Sequence, residues 1–360
     1  MVQDWDWPDI GEQVRRLRRT AGLSQEALGE RVDLDRTMIA KIERGSRRID
    51  ALELTKFARA LGVPLHRLLT PPPPVLSRRG AALVDEASAS GRATDRLDGA
   101  LQDWLADVRQ AHAWGGWRLA PLHRYPHPVA AEDDARAAAR WLRGRLDLGT
   151  GPIDSLMAVC ERAGQQVLVV DLPGDGASLV DGDLAVGVVS AAGDPGRRRA
   201  TGAHELGHLV IGDEYSSDPG VNASRDRREA IIDAFAAELL LPVEALGADA
   251  TRTRGGLIAV AATYRVSWSL ALNQARRTGL ADATQRRWAQ PAPSRAEFLD
   301  AVGWAPQPDL AAIRVPPGYA ATVLRALHDA RISRVRAAEM LHGEVGLDDL
   351  PDDGTLDPAP

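Results

Sequence analysis

Cysteine occurs once in the 360 residues, at Cys160, so no internal disulfide can staple the chain. Its place on the apolar side of SLMAVCERAG marks it as a small core residue. Aromatic residues make up only 4% of the sequence, although nine of them are Trp. Lysine occurs only at positions 41 and 56, and arginine supplies every other basic side chain. With the many Ala and Gly, this reads as high-GC coding bias and not as function. No apolar run approaches the ~18 residues of a membrane span, and the acidic start MVQDWDWPD has no signal-peptide pattern. A cytoplasmic protein without a membrane partner is the expectation. The length suits two or three domains, each burying its own core. Residues 1–70 hold 13 Lys and Arg against 11 Asp and Glu, a net of +2 in a chain of −6, so the remainder carries −8. Only the amino end has a balance that favours phosphate, and it is modest enough to point to two copies acting together.

What the chain does contain is the string RRRATGAHELGHLVIGDE. His204 and His208 are four apart, so on a helix they share a face and can aim imidazole nitrogens at one Zn²⁺. Glu205 lies toward the edge of that face, where it can reach a water that the metal activates. A carboxylate there can take the proton of that water and deliver it to a leaving amine. Downstream, SRDRREAIIDAFAAELLLP (224–242) repeats Ala230, Ile231, Ala234, Phe235, Leu239 and Leu240 at helical spacing until Pro242 stops it. Glu229 and Asp233 fall on one stripe of this helix. Catalytic zinc sites keep three protein ligands and leave the fourth position open. Glu229 can be the third ligand, and Asp233 can accept the other N–H of a ligating histidine. The alternative is a solvated face of an amphipathic helix. Following the paired histidines, and opposite so apolar a face, the acids read better as a zinc site.

At these residues the sequence resembles a family. TGAHELGH followed by E-x-x-x-D-x-F-A-A-E-L-L-L-P is similar to the ImmA/IrrE family of zinc metallopeptidases. The likeness runs from about Ala135 to Gly279, because ARAAARWLRGRLDLGTGPIDSLMAVCERAGQQVLVVDLP resembles the family's lead-in of helix, turn, helix and strand. Glu229 falls on the family's ligand Glu. Asp233 stands where Asn is usual, Ile232 where Ala is usual and Leu241 where Met is usual. The Asp makes the pair look like the E-x-x-x-D of gluzincins. The resemblance implies an α+β, zincin-like fold of gluzincin type, Zn²⁺ as cofactor, and cleavage of XRE-type repressors. QQVLVVDL and DLAVGVVSA read as strands, and a substrate can lie extended along such an edge and add to the sheet. Arg197, Arg198 and Arg199 can serve an acidic substrate, with a solvated loop as the default. Tyr215 and Tyr264 are the candidates for stabilising an oxyanion. His123, His127, His328 and His342 lack metal-ligand spacing and read as structural or solvated.

From Ile10 to Leu69 the chain reads as five short helices. Ser24 is a helix N-cap, Gly22 and Gly45 are helix stops, and Val32-Asp33-Leu34-Asp35 is a tight turn. LSQEALGERVDLDRTMIAKIERGSRRI closely resembles the XRE family of lambda-repressor-like DNA-binding domains. By that likeness Arg36, Thr37 and Lys41 face base edges of a double-stranded DNA operator. Gln25 then sits against a phosphate or base, and Arg44, Arg47 and Arg48 contact phosphates. Such domains commonly work as homodimers on paired half-sites. Two alternatives stand beside this reading. The helix-turn-helix can recognise a protein, as in toxin–antitoxin or phage-defence pairs, and the zinc fold can be a sensory or structural module without proteolysis.

The expected chain is therefore multidomain and mainly α. An all-α helix-turn-helix domain spans 1–72, and a Pro-rich spacer, flexible linker and helix span 73–130. The α+β peptidase domain with its small sheet spans 131–290. A helical carboxy-terminal segment, ending in a dozen residues expected to be disordered, spans 291–360. Trp104, Trp114, Trp117 and Trp141 are expected to anchor the linker helix on the peptidase. The GGLIAVAATYRVSWSLALNQARRTGL pair reads as scaffold. The function expected is a regulator that binds DNA and cleaves a repressor-type protein, or itself in the 71–95 linker, on a signal.

Overall fold

The computed structural model describes residues 6–70, 77–79, 89–172, 174–192, 194–212, 222–247, 252–306, 310 and 314–351. The Pro71–Pro74 spacer, Tyr215 and most of the last dozen residues lie outside them. The chain forms two compact units, one of residues 1–74 with 81–103 and the other of 75–80 with 104–360.

In the first unit α1 (Trp7–Thr20), α2 (Gln25–Val32), α3 (Arg36–Glu43), α4 (Ala51–Leu61) and α5 (His66–Leu69) enclose Val14, Leu28, Ile39, Phe57 and Leu68. Asp6, Ser24, Asp35 and Asp50 each accept a backbone N–H three residues on, so the first four helices start where a short polar side chain can cap them. The α2–α3 turn places Asp33 in the left-handed region at φ 61°. A Cβ at Gly29 would lie 2.4 Å from the carbonyl oxygen of Leu34, so this turn closes only over glycine. The long helix α6 (Ala89–Ala113) contributes Asp98 and Asp103, which pair with Arg16 and Arg67 of this unit.

The second unit takes up the chain at 75–80 and again from Trp104, within α6. Its sheet has the order β1-β3-β4-β2, from β1 (Ser77–Arg79), β2 (Gln165–Val170), β3 (Gly176–Asp181) and β4 (Leu184–Ser190). β2 runs parallel to β4, while β3 is antiparallel to both β4 and β1. Around the sheet lie α7 (Glu132–Arg145), α8 (Leu156–Arg162), α9 (Pro195–Ile211) and α10 (Asn222–Leu240). Then come α11 (Arg254–Tyr264), α12 (Trp268–Arg277), α13 (Asp282–Ala289), α14 (Arg295–Val302), α15 (Pro317–His328) and α16 (Arg334–Met340). Ala203, Leu206 and Val210 of α9 share one core with Val167 and Val189 of the sheet and Phe235 and Leu239 of α10. α9 is therefore buried against strands on one side and a helix on the other. Cys160 lies in the same core.

The described residues thus form a mainly α, multidomain fold: an all-α helix-turn-helix unit, and an α+β unit whose small sheet lies beside α9. β2 and β4 match the strands read from sequence, whereas β3 and β1 were not anticipated. The Trp group divides. Trp104 donates its indole N–H to the Gln166 carbonyl at 2.8 Å and meets Tyr319 of α15 edge-on at 4.6 Å, as Trp117 does at 5.8 Å. Trp141 instead packs on Tyr125. Carboxy-terminal residues also finish the sheet, since Arg314 exchanges two backbone hydrogen bonds with Val169 of β2. No single described helix is long and apolar enough to cross a membrane.

Candidate metal centre and nucleic-acid interface

α9 begins at Pro195, with Asp194 accepting the N–H groups of Gly196 and Arg197, and ends at Gly212 in the left-handed region. That start fixes the phase of the helix and puts His204 and His208 on the side facing α10. The two helices approach closely at Gly207, where a Cβ would lie 2.9 Å from Phe235 Cδ1 and 3.0 Å from Ile232 Cγ2. The missing side chain brings Glu229 of α10 up to the histidine pair.

His204 Nε2 lies 3.2 Å from His208 Nε2 and 3.0 Å from Glu229 Oε2. On the far side of the ring, His204 Nδ1 donates to Asp233 Oδ1 at 2.9 Å, which leaves Nε2 as the lone-pair nitrogen. Three electron-pair donors thus converge on one point. A tetrahedral zinc with bonds of ~2.0–2.1 Å has ligand–ligand edges of about 3.3 Å. The two measured edges match it, so the donor set fits zinc in both chemistry and spacing. Among the described residues this is the one group of three or more His, Cys, Asp or Glu able to hold a metal ion. The histidines are buried, whereas the Glu229 side chain is 26% exposed and that of Asp233 is 52% exposed. The group is dry on the imidazole side and open on the carboxylate side.

Glu205 is fully buried. Its Oε2 accepts the hydroxyl of Ser178 at 2.7 Å, and its backbone carbonyl accepts Gln165 Nε2 at 3.2 Å. Both partners come from the sheet. Ser178 went unnoticed in the sequence because β3 itself did; a lone Ser in GASLVD carries no signal. Beside Asp233, a cavity of about 860 Å³ opens between α9, α10 and α12, lined among others by Arg197, Ala200, Ala237, Trp268 and Phe298.

The basic run before the motif is not a solvated loop. Arg197, Arg198 and Arg199 form the first turns of α9, and the last two are buried. Arg197 pairs with Asp175 at 2.8 Å, which holds its guanidinium above the usual arginine range. Arg198 donates to the Ala191 carbonyl and Arg199 to that of Ile153. Tyr264 Oη donates to the Thr150 carbonyl at 2.9 Å. His342 sits 3.1 Å from Asp107, and His123 Nδ1 lies 3.0 Å from the Pro121 carbonyl oxygen. His127 packs edge-on against Tyr125, and His328 is exposed.

In the first unit Arg36, Thr37 and Lys41 lie exposed on α3, with Met38 exposed among them. Gln25 is half-buried, and its amide donates to Glu43 Oε2 at 2.8 Å. Glu43 is buried and also paired with Arg18 at 2.5 Å, so Gln25 is fixed beside the last turn of α3. Arg44 folds back on the α3 backbone through the Ala40 carbonyl. Arg47, expected against phosphate, is paired with Glu53 at 2.6 Å.

Residues 14–68 match the helix-turn-helix family model, and residues 160–275 match that of the IrrE N-terminal-like domain, a peptidase family. Among curated proteins, the control protein C.MunI of a Mycoplasma species is 36% identical over 62 residues, covering 17% of this chain and 84% of the relative. The control protein C.BamHI of Bacillus amyloliquefaciens is 42% identical over 61 residues, 17% of this chain and 75% of the relative. A hypothetical transcription factor of Neisseria meningitidis serogroup B is 41% identical over 63 residues, 18% and 59% of the two chains. These matches span 17–18% of this chain, its amino-terminal domain, and the second family model covers the paired histidines and Glu229. The chain belongs to the XRE-type helix-turn-helix family through its amino-terminal domain, to which an IrrE N-terminal-like domain is fused.

Proposed function

We propose that this chain is a cytoplasmic, DNA-binding transcriptional regulator with a zinc-dependent endopeptidase site, which cuts a repressor-type protein or the chain itself on a signal. The observation that carries it is the convergence of His204 Nε2, His208 Nε2 and Glu229 Oε2 within 4.8 Å of one another beside a buried Glu205. These three residues would hold the zinc. Bound there, zinc would supply Lewis acidity to a water and to the peptide carbonyl. Glu205 takes the proton of the attacking water and passes it to the departing nitrogen. Ser178 fixes the Glu205 carboxylate, and Asp233 keeps His204 in the tautomer that turns Nε2 to the other ligands. The cavity beside Asp233 is within the range of volumes that take small ligands or side chains. Asp233→Ala protein is expected to bind zinc about 10–100-fold more weakly, read by competition against a chelating dye. Unchanged affinity removes Asp233 from this role.

The test of the peptidase reading is cleavage. The zinc-loaded full chain is incubated alone and with repressor-type regulators encoded beside it, then read by intact mass. Fragments that a chelator abolishes support the reading, and intact chains throughout overturn it. For the DNA reading, exposed Arg36, Thr37 and Lys41 on the second helix of the motif provide the support. Two copies bind paired half-sites. Combined Arg36→Ala and Lys41→Ala changes are expected to weaken binding to the protein's own upstream region about a hundredfold and to flatten its salt dependence. Equal gel shifts for both proteins across a salt series overturn that assignment.

A further inference from the structure

The edge of β3 beside the candidate site is not bare. β1 pairs with it antiparallel, in the register Ser77↔Ser178, Arg78↔Ala177 and Arg79↔Gly176. Ser178 is the residue whose hydroxyl holds Glu205 at 2.7 Å. Directly opposed residues in an antiparallel pair have Cα atoms about 4.5–5.5 Å apart. The backbone at Ser77 therefore lies across one strand spacing from the residue that anchors the expected base. β1 also lies beside α9, the helix of the paired histidines. An unpaired strand edge is a template on which a second extended chain adds by main-chain hydrogen bonds.

The occupant is weakly built for the place. Three residues make a very short strand, and Ser and Arg bring little of the β-branched or aromatic packing that stabilises one. What compensates is attachment. Ser77–Arg79 belongs to the same chain as β3, so it competes as an intramolecular strand, at an effective concentration that a free peptide has to exceed.

We infer that the outer edge of β3 is the surface on which an extended polypeptide docks next to Glu205, and that the chain's own Ser77–Arg79 holds it as a tethered placeholder. A second polypeptide gains the edge when β1 leaves it. The inference rests on the peptidase reading for the purpose of that edge, but its test requires no bond to be cut.

Both arms use the full chain carrying Glu205→Gln. One arm also carries Ser77→Pro, Arg78→Pro and Arg79→Pro, which remove every backbone donor of β1. The probe is a fluorescein-labelled synthetic peptide of the sequence PVLSRRGA, followed by anisotropy. With the placeholder removed, the peptide is expected to bind about tenfold tighter or more, because the competent fraction rises toward one. Those backbone amides of Gly176–Ser178 that face β1 are expected to exchange faster in the proline variant and to slow again when the peptide saturates it. Equal peptide affinity in the two arms, or no binding in either, overturns the inference. A positive result with a wild-type chain that cuts nothing overturns the peptidase reading alone, and the reverse combination overturns the placeholder alone.

Discussion

Glu205→Gln protein is expected to keep bound zinc and, on the peptidase reading, to lose peptide-bond cleavage by a factor of about 10³, within the range that positioned acid–base groups contribute. The substitution is nearly isosteric, and the new amide oxygen can still accept the Ser178 hydroxyl that meets Oε2 at 2.7 Å. α9 is therefore expected to keep its packing between the sheet and α10. What disappears is an atom able to take and return a proton. Glu205 lies outside the three-atom donor group, so metal content should not follow activity down. Zinc by elemental analysis and cleavage by intact mass, on the same preparations, separate the two effects. If the chain shortens itself under inducing conditions, the variant stays full length while wild type does not. Equal fragment yields from both proteins remove Glu205 from the chemistry.

Glu229→Ala protein is expected to emerge from dialysis nearly free of zinc, its affinity lowered more than a hundredfold. Loss of an outer-shell partner typically costs 10–100-fold, and a direct ligand exceeds that. The physical reason lies in the arrangement. His204 and His208 come from one helix, and Glu229 is the donor that ties the centre to the second one, 3.0 Å from His204 Nε2. A change in stability should accompany the loss. A metal present at a hundred times its dissociation constant stabilises the folded state by about 2.7 kcal/mol. A chelator should therefore lower the melting temperature of wild type and leave that of the variant where it already is. Stoichiometric zinc in dialysed Glu229→Ala protein would remove the carboxylate from the donor set and, with it, the case for a catalytic centre.

Much of this site lies in local pattern. The four-residue spacing of His204 and His208, the Pro195 and Gly212 that bound their helix, and the Glu229–Asp233 stripe are all periodicities within one helix. The Ser24 cap of the helix-turn-helix is equally local, whereas the caps at Asp35 and Asp50 appear only in the structure. What the pattern does not contain is anything made by distant pairing. GASLVD and SRR become strands because β4 and β3 lie beside them, not through alternation of their own. Ser178 was lost with β3, and a segment read as flexible linker supplies an edge strand. The Arg197–Arg199 run misleads for the same reason. Its charge reads as solvated, but carbonyls at Ala191 and Ile153 wait for the buried guanidinium groups. The burial of Glu205, too, depends on strands far from it in sequence.

Position 207 lacks a methyl group, and the distance between the two helices that carry the candidate ligands depends on that lack. The spacing between ligand-bearing backbones can thus be adjusted from the oily side, by altering the bulk of Ile232 or Phe235, with every coordinating atom left in place. Ions of different radius prefer different spans. Selectivity among divalent metals at the proposed centre would accordingly follow hydrocarbon volume as much as imidazole and carboxylate.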